Sequence, residues 1–341
     1  MRMRRSGLVL SLSKDAAIWT ETPPELQMQA LLNVAFPVFA VMACGWLTGR
    51  VGLLGEASSE ALNRFVFYVA LPPLFFLATA KAPVMEILNG PFLIAYGGGA
   101  ILTFALAIAV ARFAFPDRFA CLSLHGLSAI FGNTGYMGIP LLLAAFGPPG
   151  MAPVIITALI NGSIVIGLAT VLVELDLGRG GGKGVAAVAR DALLAALKSP
   201  LVIAPFAGMA LSLLGIALPA PVENFCNLVG AAAAPSALFA IGLFLVGKPI
   251  AGDLKEVSWI CLLKLLAQPA LTYLIAFRAL DMDPVWAKSA VILAALPVGT
   301  TLFVVAQKYG VYVRRATAAI LLSTAFSVLT VSALLVLLGV S

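Results

Sequence analysis

The chain has 341 residues, of which 62% are hydrophobic and only 11% charged, with a mean hydropathy of +1.07 and a formal net charge of +6. Soluble domains carry roughly 45–50% apolar and about 25% charged residues, so this composition excludes a soluble globular protein. The apolar residues form blocks of the length that a helix needs to cross a bilayer, about 20 residues, without the alternation that is typical of barrel strands. We therefore predict an all-α integral membrane protein.

Ten membrane-spanning helices are predicted in chain order. Short segments that contain Gly, Pro or charged residues separate them, as expected for loops rather than domain linkers. The predicted spans are residues 31–48, 62–80, 91–111, 119–145, 151–173, 200–218, 225–246, 257–277, 286–306 and 317–339.

The two halves of the chain resemble each other. Residues 36–83 and 205–249 share a similar order of apolar, polar and Pro-containing stretches. Each half holds five predicted spans, and because five is an odd number the second half enters the membrane from the opposite side, as in an inverted repeat. We expect a first repeat at 28–175, a cytoplasmic loop at 176–198 and a second repeat at 199–341.

Basic residues indicate the orientation, because Lys and Arg in short loops are retained on the cytoplasmic side. Alternate loops hold thirteen basic residues on one side and three on the other, namely Lys81, Arg278 and Lys288. This asymmetry predicts a multi-pass protein of the inner (plasma) membrane with both termini of the core on the outer side.

Residues 1–27 do not fit this orientation, because their basic residues would lie on the outer side. A signal peptide is one interpretation, but the apolar stretch at residues 8–12 is shorter than such peptides need. The alternative is a disordered tail, or a leader that is not native, with the native chain beginning at Met28.

The fourth predicted span of each half is interrupted at a matching place. Residues 131–140 read FGNTGYMGIP, and residues 296–301 read LPVGTT, which includes Gly299. Gly and Pro favour unwinding, and unwound backbone is tolerated at membrane depth only where it is buried in protein or lines a cavity. The breaks therefore predict a cavity, although the same residues could instead only kink two helices for packing.

Such breaks favour binding of an anion. The half-helix that begins at a break carries about half a positive charge at its N-terminus. Asn133 or Thr134 can cap this end in the first half of the chain, and Thr300 or Thr301 in the second. Exposed N–H groups and hydroxyls at a helix N-terminus bind carboxylates, so the pattern predicts a site for a small organic anion.

These segments resemble the auxin efflux carrier family, which includes plant auxin exporters and bacterial permeases for malonate-like acids. The resemblance covers residues 28–341 and rests on ALPPLFF, on FGNTGYMGIP and on ALPVGTTLFVVAQKYGV. It implies ten spans as a 5+5 inverted repeat, a crossover of the broken fourth and ninth helices, and a substrate site beside it. The implied fold is similar to that of bile-acid and sodium–proton transporters. The motif positions of the crossover are Asn133, Gly135, Gly138, Pro140 and Pro297.

The chain departs from the family pattern at one place. Many relatives carry Asn a few residues after the second proline, where this chain has Thr300 and Thr301.

Ionisable residues are rare inside the predicted spans, where they usually mark function. His125 precedes the first break and Lys264 lies in span eight, whereas no Asp or Glu is well inside a span. A proton antiporter with a buried carboxylate pair is therefore disfavoured, but proton coupling through His125 stays open. The alternative interpretations are that His125 only stabilises the fold and that the Lys264 side chain extends to the cytoplasmic face.

The weaker candidates for substrate binding are three polar residues, Asn161, Gln268 and Asn63. They could reach a substrate or a cation, or simply hydrogen-bond helices together.

The predicted function is secondary active transport of a mono- or dicarboxylate by alternating access, with a proton or sodium as the coupling ion and the lipid bilayer as surroundings. A passive anion channel is one alternative, and an intramembrane enzyme is another. No cofactor, metal or nucleic acid is expected, because the sequence shows no motif for one. A homodimer stays open.

Overall fold

The computed structural model describes residues 34–81, 89–177, 197–247 and 254–340, together with the single residues 187, 190 and 194. Within these ranges the protein is helical, and its only β-type pairing is one isolated bridge. The predicted leader at 1–27 and most of the predicted loop at 176–198 lie outside the described residues. The helices are α1 (Phe36–Arg50), α2 (Glu56–Lys81), α3 (Gly90–Ala114), α4 (Phe119–Ser128), α5 (Thr134–Phe146), α6 (Pro148–Leu177), α7 (Pro200–Leu213), α8 (Ala220–Leu245), α9 (Leu254–Ala279), α10 (Pro284–Ala294), α11 (Thr301–Tyr309) and α12 (Val313–Leu337).

Six of the described helices are long and apolar enough to cross a membrane, namely α2, α3, α6, α8, α9 and α12. Helices α4, α5, α7 and α10 are shorter apolar helices. The pairs α4/α5 and α10/α11 occupy the predicted fourth and ninth spans, and each pair is interrupted where the sequence predicts a break. The all-α membrane class is therefore confirmed, while the count of ten spans and the inverted repeat stay predictions.

The two halves of the chain pack against each other in a reciprocal way. Helix α1 packs along the C-terminal half of α8, and α7 packs along the C-terminal half of α2. A second group forms around α9, which contacts α3, α10 and α12, while α4 contacts α3 and α6. The same pairing therefore recurs when first-half and second-half helices are exchanged, as an inverted repeat requires.

Glycines bring α1 and α8 into close contact. A Cβ atom built on Gly45 would lie 2.2 Å from the carbonyl oxygen of Phe239. A Cβ atom on Gly242 would lie 2.0 Å from the carbonyl oxygen of Met42. Without a hydrophobic force between helices in lipid, such close backbone contact is a main source of association.

We expect Gly242→Ala to lower the thermal stability of the protein, because the added methyl group forces α1 and α8 apart at a cost of about 1–3 kcal/mol. Gly97→Ala in α3 is the matched control, since nothing lies within 4 Å of a Cβ atom at that position. There Ala should be neutral or slightly stabilising. Unfolding can be followed with a thiol-reactive dye, because Cys121, Cys226 and Cys261 are buried. Equal melting temperatures for the two variants would contradict this packing argument.

Candidate functional site

The two helix breaks pair with each other at the centre of the molecule. The Asn133 N–H donates a hydrogen bond to the Pro297 carbonyl oxygen at 2.8 Å, and the Gly299 N–H donates to the Phe131 carbonyl oxygen at 2.9 Å. These two bonds form the isolated antiparallel bridge of the fold. The unwound backbone thereby satisfies itself within the protein, which is the condition for irregular structure at membrane depth.

Glycines are needed for this close crossing. A Cβ atom on Gly299 would lie 2.4 Å from Cε1 of Phe131, and one on Gly138 would lie 3.0 Å from Cδ1 of Leu296. Gly299 and Gly138 therefore have a steric reason besides their backbone freedom. They let the two broken helices pass each other without a gap.

A cavity of about 280 Å³ lies beside the crossover. Its polar side comes from the first break, α6 and the start of α11, and its apolar side comes from α2 and α7. The predicted site residues that line it are Asn133, Thr134, Gly135, Asn161, Gly299 and Thr301. The apolar side consists mainly of Phe67, Leu71, Phe75, Leu201 and Val202. The cavity therefore offers hydrogen-bonding groups to a polar head and apolar side chains to a short carbon skeleton.

Asn161 organises the polar side of the cavity. It lies in a wide π-helical turn of α6, Ile160–Val165, and is buried. Its Nδ2 atom donates to Thr134 Oγ1 at 2.9 Å and approaches the Gly132 carbonyl oxygen and the Tyr96 hydroxyl at 3.3 Å each. Asn161 therefore holds Thr134 in place, and π-helical turns of this kind are frequent at functional sites.

The side-chain amide of Asn133 has an unsatisfied hydrogen-bond donor among the described residues. The residue is only 3% exposed and lines the cavity, yet its Nδ2 atom has no hydrogen-bond partner among the described residues. A buried donor without a partner is unfavourable and needs an explanation. An acceptor on a bound ligand would satisfy it.

The cavity carries no formal charge of its own, since no acidic or basic side chain is among the described residues that line it. Positive potential comes instead from the N-termini of α5 and α11, which begin at Thr134 and Thr301 beside the cavity. Amide, hydroxyl and helix-end donors together can bind a carboxylate without a basic side chain.

The other predicted site residues do not line the cavity. Gly138, Pro140 and Pro297 are buried in the crossover, Thr300 directly precedes α11, and Asn63 lies apart in α2. Lys264 and Gln268 are fully buried in α9, on the opposite face of the crossover, and their contacts are described below. His125 is also fully buried, in α4.

His125 belongs to an ionic cluster that extends from a buried centre to the protein surface and includes a buried carboxylate missed by the sequence analysis. Its Nδ1 atom lies 2.8 Å from Glu256 Oε1, and the Tyr312 hydroxyl donates to the same oxygen at 2.6 Å. Arg315 Nη1 lies 3.0 Å from Glu256 Oε2, and Arg315 Nη2 lies 2.7 Å from Asp117 Oδ2. Glu256 is only 3% exposed although it lies in the first turn of α9. The cluster joins α4, α9 and α12.

Two members of this cluster lie in loops, and their environments fix their protonation. Burial raises the pKa of Asp117, but hydrogen bonds from Arg315 and from the Arg118 N–H outweigh it and leave the pKa below its usual value. Burial, and then the Glu256 carboxylate, raise the pKa of Tyr312 well above its usual value. At neutral pH Asp117 is therefore a carboxylate, and Tyr312 keeps the proton that it donates.

Comparisons with known proteins match the chain to membrane transporters. A family model described as "Membrane transport protein" matches residues 31–181 and 183–335. The chain is 34% identical over 313 residues to a protein of Rhizobium meliloti (strain 1021) named "Putative malonate transporter", covering 91% of this chain and 97% of the relative.

Two more distant relatives also match over most of their length. The chain is 26% identical to the "Uncharacterized transporter YfdV" of Escherichia coli (strain K12), covering 86% of this chain and 93% of that protein. It is 23% identical to the "Uncharacterized transporter MJ1031" of Methanocaldococcus jannaschii, with coverages of 88% and 96%.

Proposed function

Since this chain belongs to the membrane transport protein family, the auxin efflux carrier family indicated by its sequence motifs, we propose that it is a secondary active transporter of a small mono- or dicarboxylate. The observation that carries the proposal is Asn133 Nδ2, which has no partner among the described residues and belongs to a cavity between two helix N-termini whose described lining is uncharged. The carboxylate of the substrate accepts from Asn133 Nδ2 and from the hydroxyls of Thr134 or Thr301. Its carbon skeleton lies against the apolar side of the cavity.

The Rhizobium meliloti relative, named "Putative malonate transporter", supports a carboxylate as the substrate class. A malonate-like acid presents one carboxylate to the donors at the crossover and leaves a short remainder for the apolar side. The cavity volume, about 280 Å³, lies just below the range for small-molecule sites, about 300–1,000 Å³. It therefore favours short acids over acids with large ring systems.

Alternating access is the proposed mechanism, within ten spans arranged as a 5+5 inverted repeat with both termini outside. Spans three to five (α3 to α6) and eight to ten (α9 to α12) form one bundle that carries the crossover. This bundle moves against spans one, two, six and seven (α1, α2, α7 and α8). Two observations support this division. Helices α1, α2, α7 and α8 pack in reciprocal pairs, and the cavity lies between that group and the crossover. A relative movement of the two groups would therefore expose the cavity to one side and then to the other.

The test is flux of radiolabelled malonate, malate, indole-acetate and a bile acid in proteoliposomes, with proton, sodium and voltage gradients imposed separately. We expect saturable flux of a short carboxylate that responds to at least one gradient, and little flux of the bile acid. Protein-free liposomes are the control for leakage. Flux that rises linearly with concentration would favour the passive channel, and absence of flux for every acid would contradict the substrate class.

A further inference from the structure

Lys264 is a fully buried amine in α9, within the group of helices that holds the crossover. Its Nζ atom donates to Gln268 Oε1 at 2.6 Å and to the Ala294 carbonyl oxygen at 2.5 Å. Among the described residues it has no carboxylate partner within ion-pair distance. Burial of an ammonium without a counter-anion is strongly unfavourable, so the surroundings of Lys264 must compensate for it.

The compensation comes from the negative ends of two half-helices. Ala294 is the last residue of α10, and a carbonyl in the last turn of a helix has no partner within that helix. Gln268 accepts from Lys264 through its oxygen, and its Nε2 atom approaches the Ile130 carbonyl oxygen, just beyond the end of α4, at 3.5 Å. Each helix C-terminus carries about half a negative charge, so Lys264 faces one of these charges directly and the other through Gln268.

One glycine separates this ammonium from the cavity. A Cβ atom built on Gly132 would lie 3.3 Å from Lys264 Nζ, and Gly132 also lines the cavity. The Lys264 amine therefore lies behind a cavity whose described lining contains no basic side chain. Through so little intervening protein, and away from water, its field at the cavity is only weakly screened.

We propose that Lys264 is the built-in counter-cation of the carrier. It neutralises the two helix C-termini at the crossover, where a bound metal cation would otherwise be needed, and it balances the charge of the bound carboxylate across Gly132. This inference rests on the proposed function, because it assigns the charge balance of the same site. It follows that the wild-type protein does not require sodium, and that removing Lys264 leaves oxygen ligands which can accept a small cation.

The first test compares carboxylate flux in sodium and in choline medium. Wild-type flux is expected to be the same in both. Lys264→Met keeps the length of the apolar stem but removes the charge, and it should lower flux at least about tenfold, whereas Lys264→Arg should retain more of it. Lys288→Met is the matched control, because Lys288 lies in α10 and does not line the cavity. Sodium-dependent flux in the wild type, or wild-type flux from Lys264→Met, would overturn the proposal.

The second test needs no substrate and so separates this inference from the proposed function. Purified Lys264→Ala is melted in chloride salts of sodium, ethylammonium or choline. Sodium or ethylammonium should raise its melting temperature by about 2–4 °C over choline, since a ligand that binds only the folded state stabilises it. The wild type should show no such difference, because its own ammonium occupies the position. Identical responses of the two proteins would overturn the assignment even if the wild type carries every acid tested.

Discussion

Replacing Asn133 with Asp is expected to abolish carboxylate transport, and replacing it with Ala to raise KM about ten- to hundredfold. Asn133 lines the polar side of the cavity, and its Nδ2 atom is a buried donor without a partner in the described residues. A hydrogen bond to a charged acceptor contributes about 1.5–3 kcal/mol, which corresponds to the stated range in KM. Aspartate has the same shape, but it replaces the donor with a negative charge that repels the substrate. Initial rates of uptake into proteoliposomes measure both effects.

Asn63→Ala is the control for the Asn133 variants, since it removes the same amide from α2 at a position that does not line the cavity. Its KM should equal that of the wild type. If Asn133→Asp retained the wild-type KM and maximal rate, the carboxylate could not lie beside Asn133, and the site would have to be sought elsewhere. Melting curves of each variant exclude a general loss of fold as the cause.

The position of the crossover could be predicted because its sequence requirements are local. Gly, Pro and Asn close together within an apolar span have few explanations other than a break, and the two breaks do lie side by side, joined by hydrogen bonds from Asn133 and Gly299. Asn161 also stood out, as a polar residue in an apolar span. The contacts of its amide depend on how α6 packs against the first break. This packing cannot be predicted from the local sequence.

The apolar side of the cavity could not be predicted from the sequence. Phe67, Leu71 and Phe75 lie in α2 among many similar residues. The sequence does not distinguish an apolar side chain that faces a cavity from one that faces lipid. Only the packing of α2 against α7 distinguishes them. Glu256 was missed for a related reason: it lies in the first turn of α9, next to Lys255, where a charged residue at the membrane surface is expected.

The burial of Glu256 results from a turn far along the chain. Tyr312 adopts a left-handed backbone conformation with φ of 63°, immediately before α12, and its hydroxyl contacts the carboxylate. Arg315, one turn later, covers the second carboxylate oxygen. Contacts with a sequence separation of 56 residues depend on the tertiary fold, so the first turn of α9 alone gives no sign of them.

Among the predicted effects on stability, we expect the largest from removal of the Glu256 carboxylate. We expect Glu256→Ala to lower the free energy of unfolding by about 3–5 kcal/mol, because it leaves the buried His125 and Tyr312 side chains without their common acceptor and removes one of the two ion-pair partners of Arg315. Those partners belong to α4 and to the start of α12, so the variant also removes the polar contacts that join α4 to α9 and α12. A lower melting temperature in detergent, followed by the reactivity of the buried cysteines, measures the loss.

Glu60→Ala is the control, because Glu60 forms an ion pair with Arg64 in which both side chains are more than half exposed. Exposed pairs of this kind contribute about 0–1 kcal/mol, so the melting temperature should hardly change. A small effect of Glu256→Ala, similar to that of Glu60→Ala, would show that the cluster does not hold α4 in place. A large effect on stability with unchanged KM in the surviving protein would instead separate the two tasks, since the ionic cluster would then support the crossover while the Asn133 amide binds the substrate.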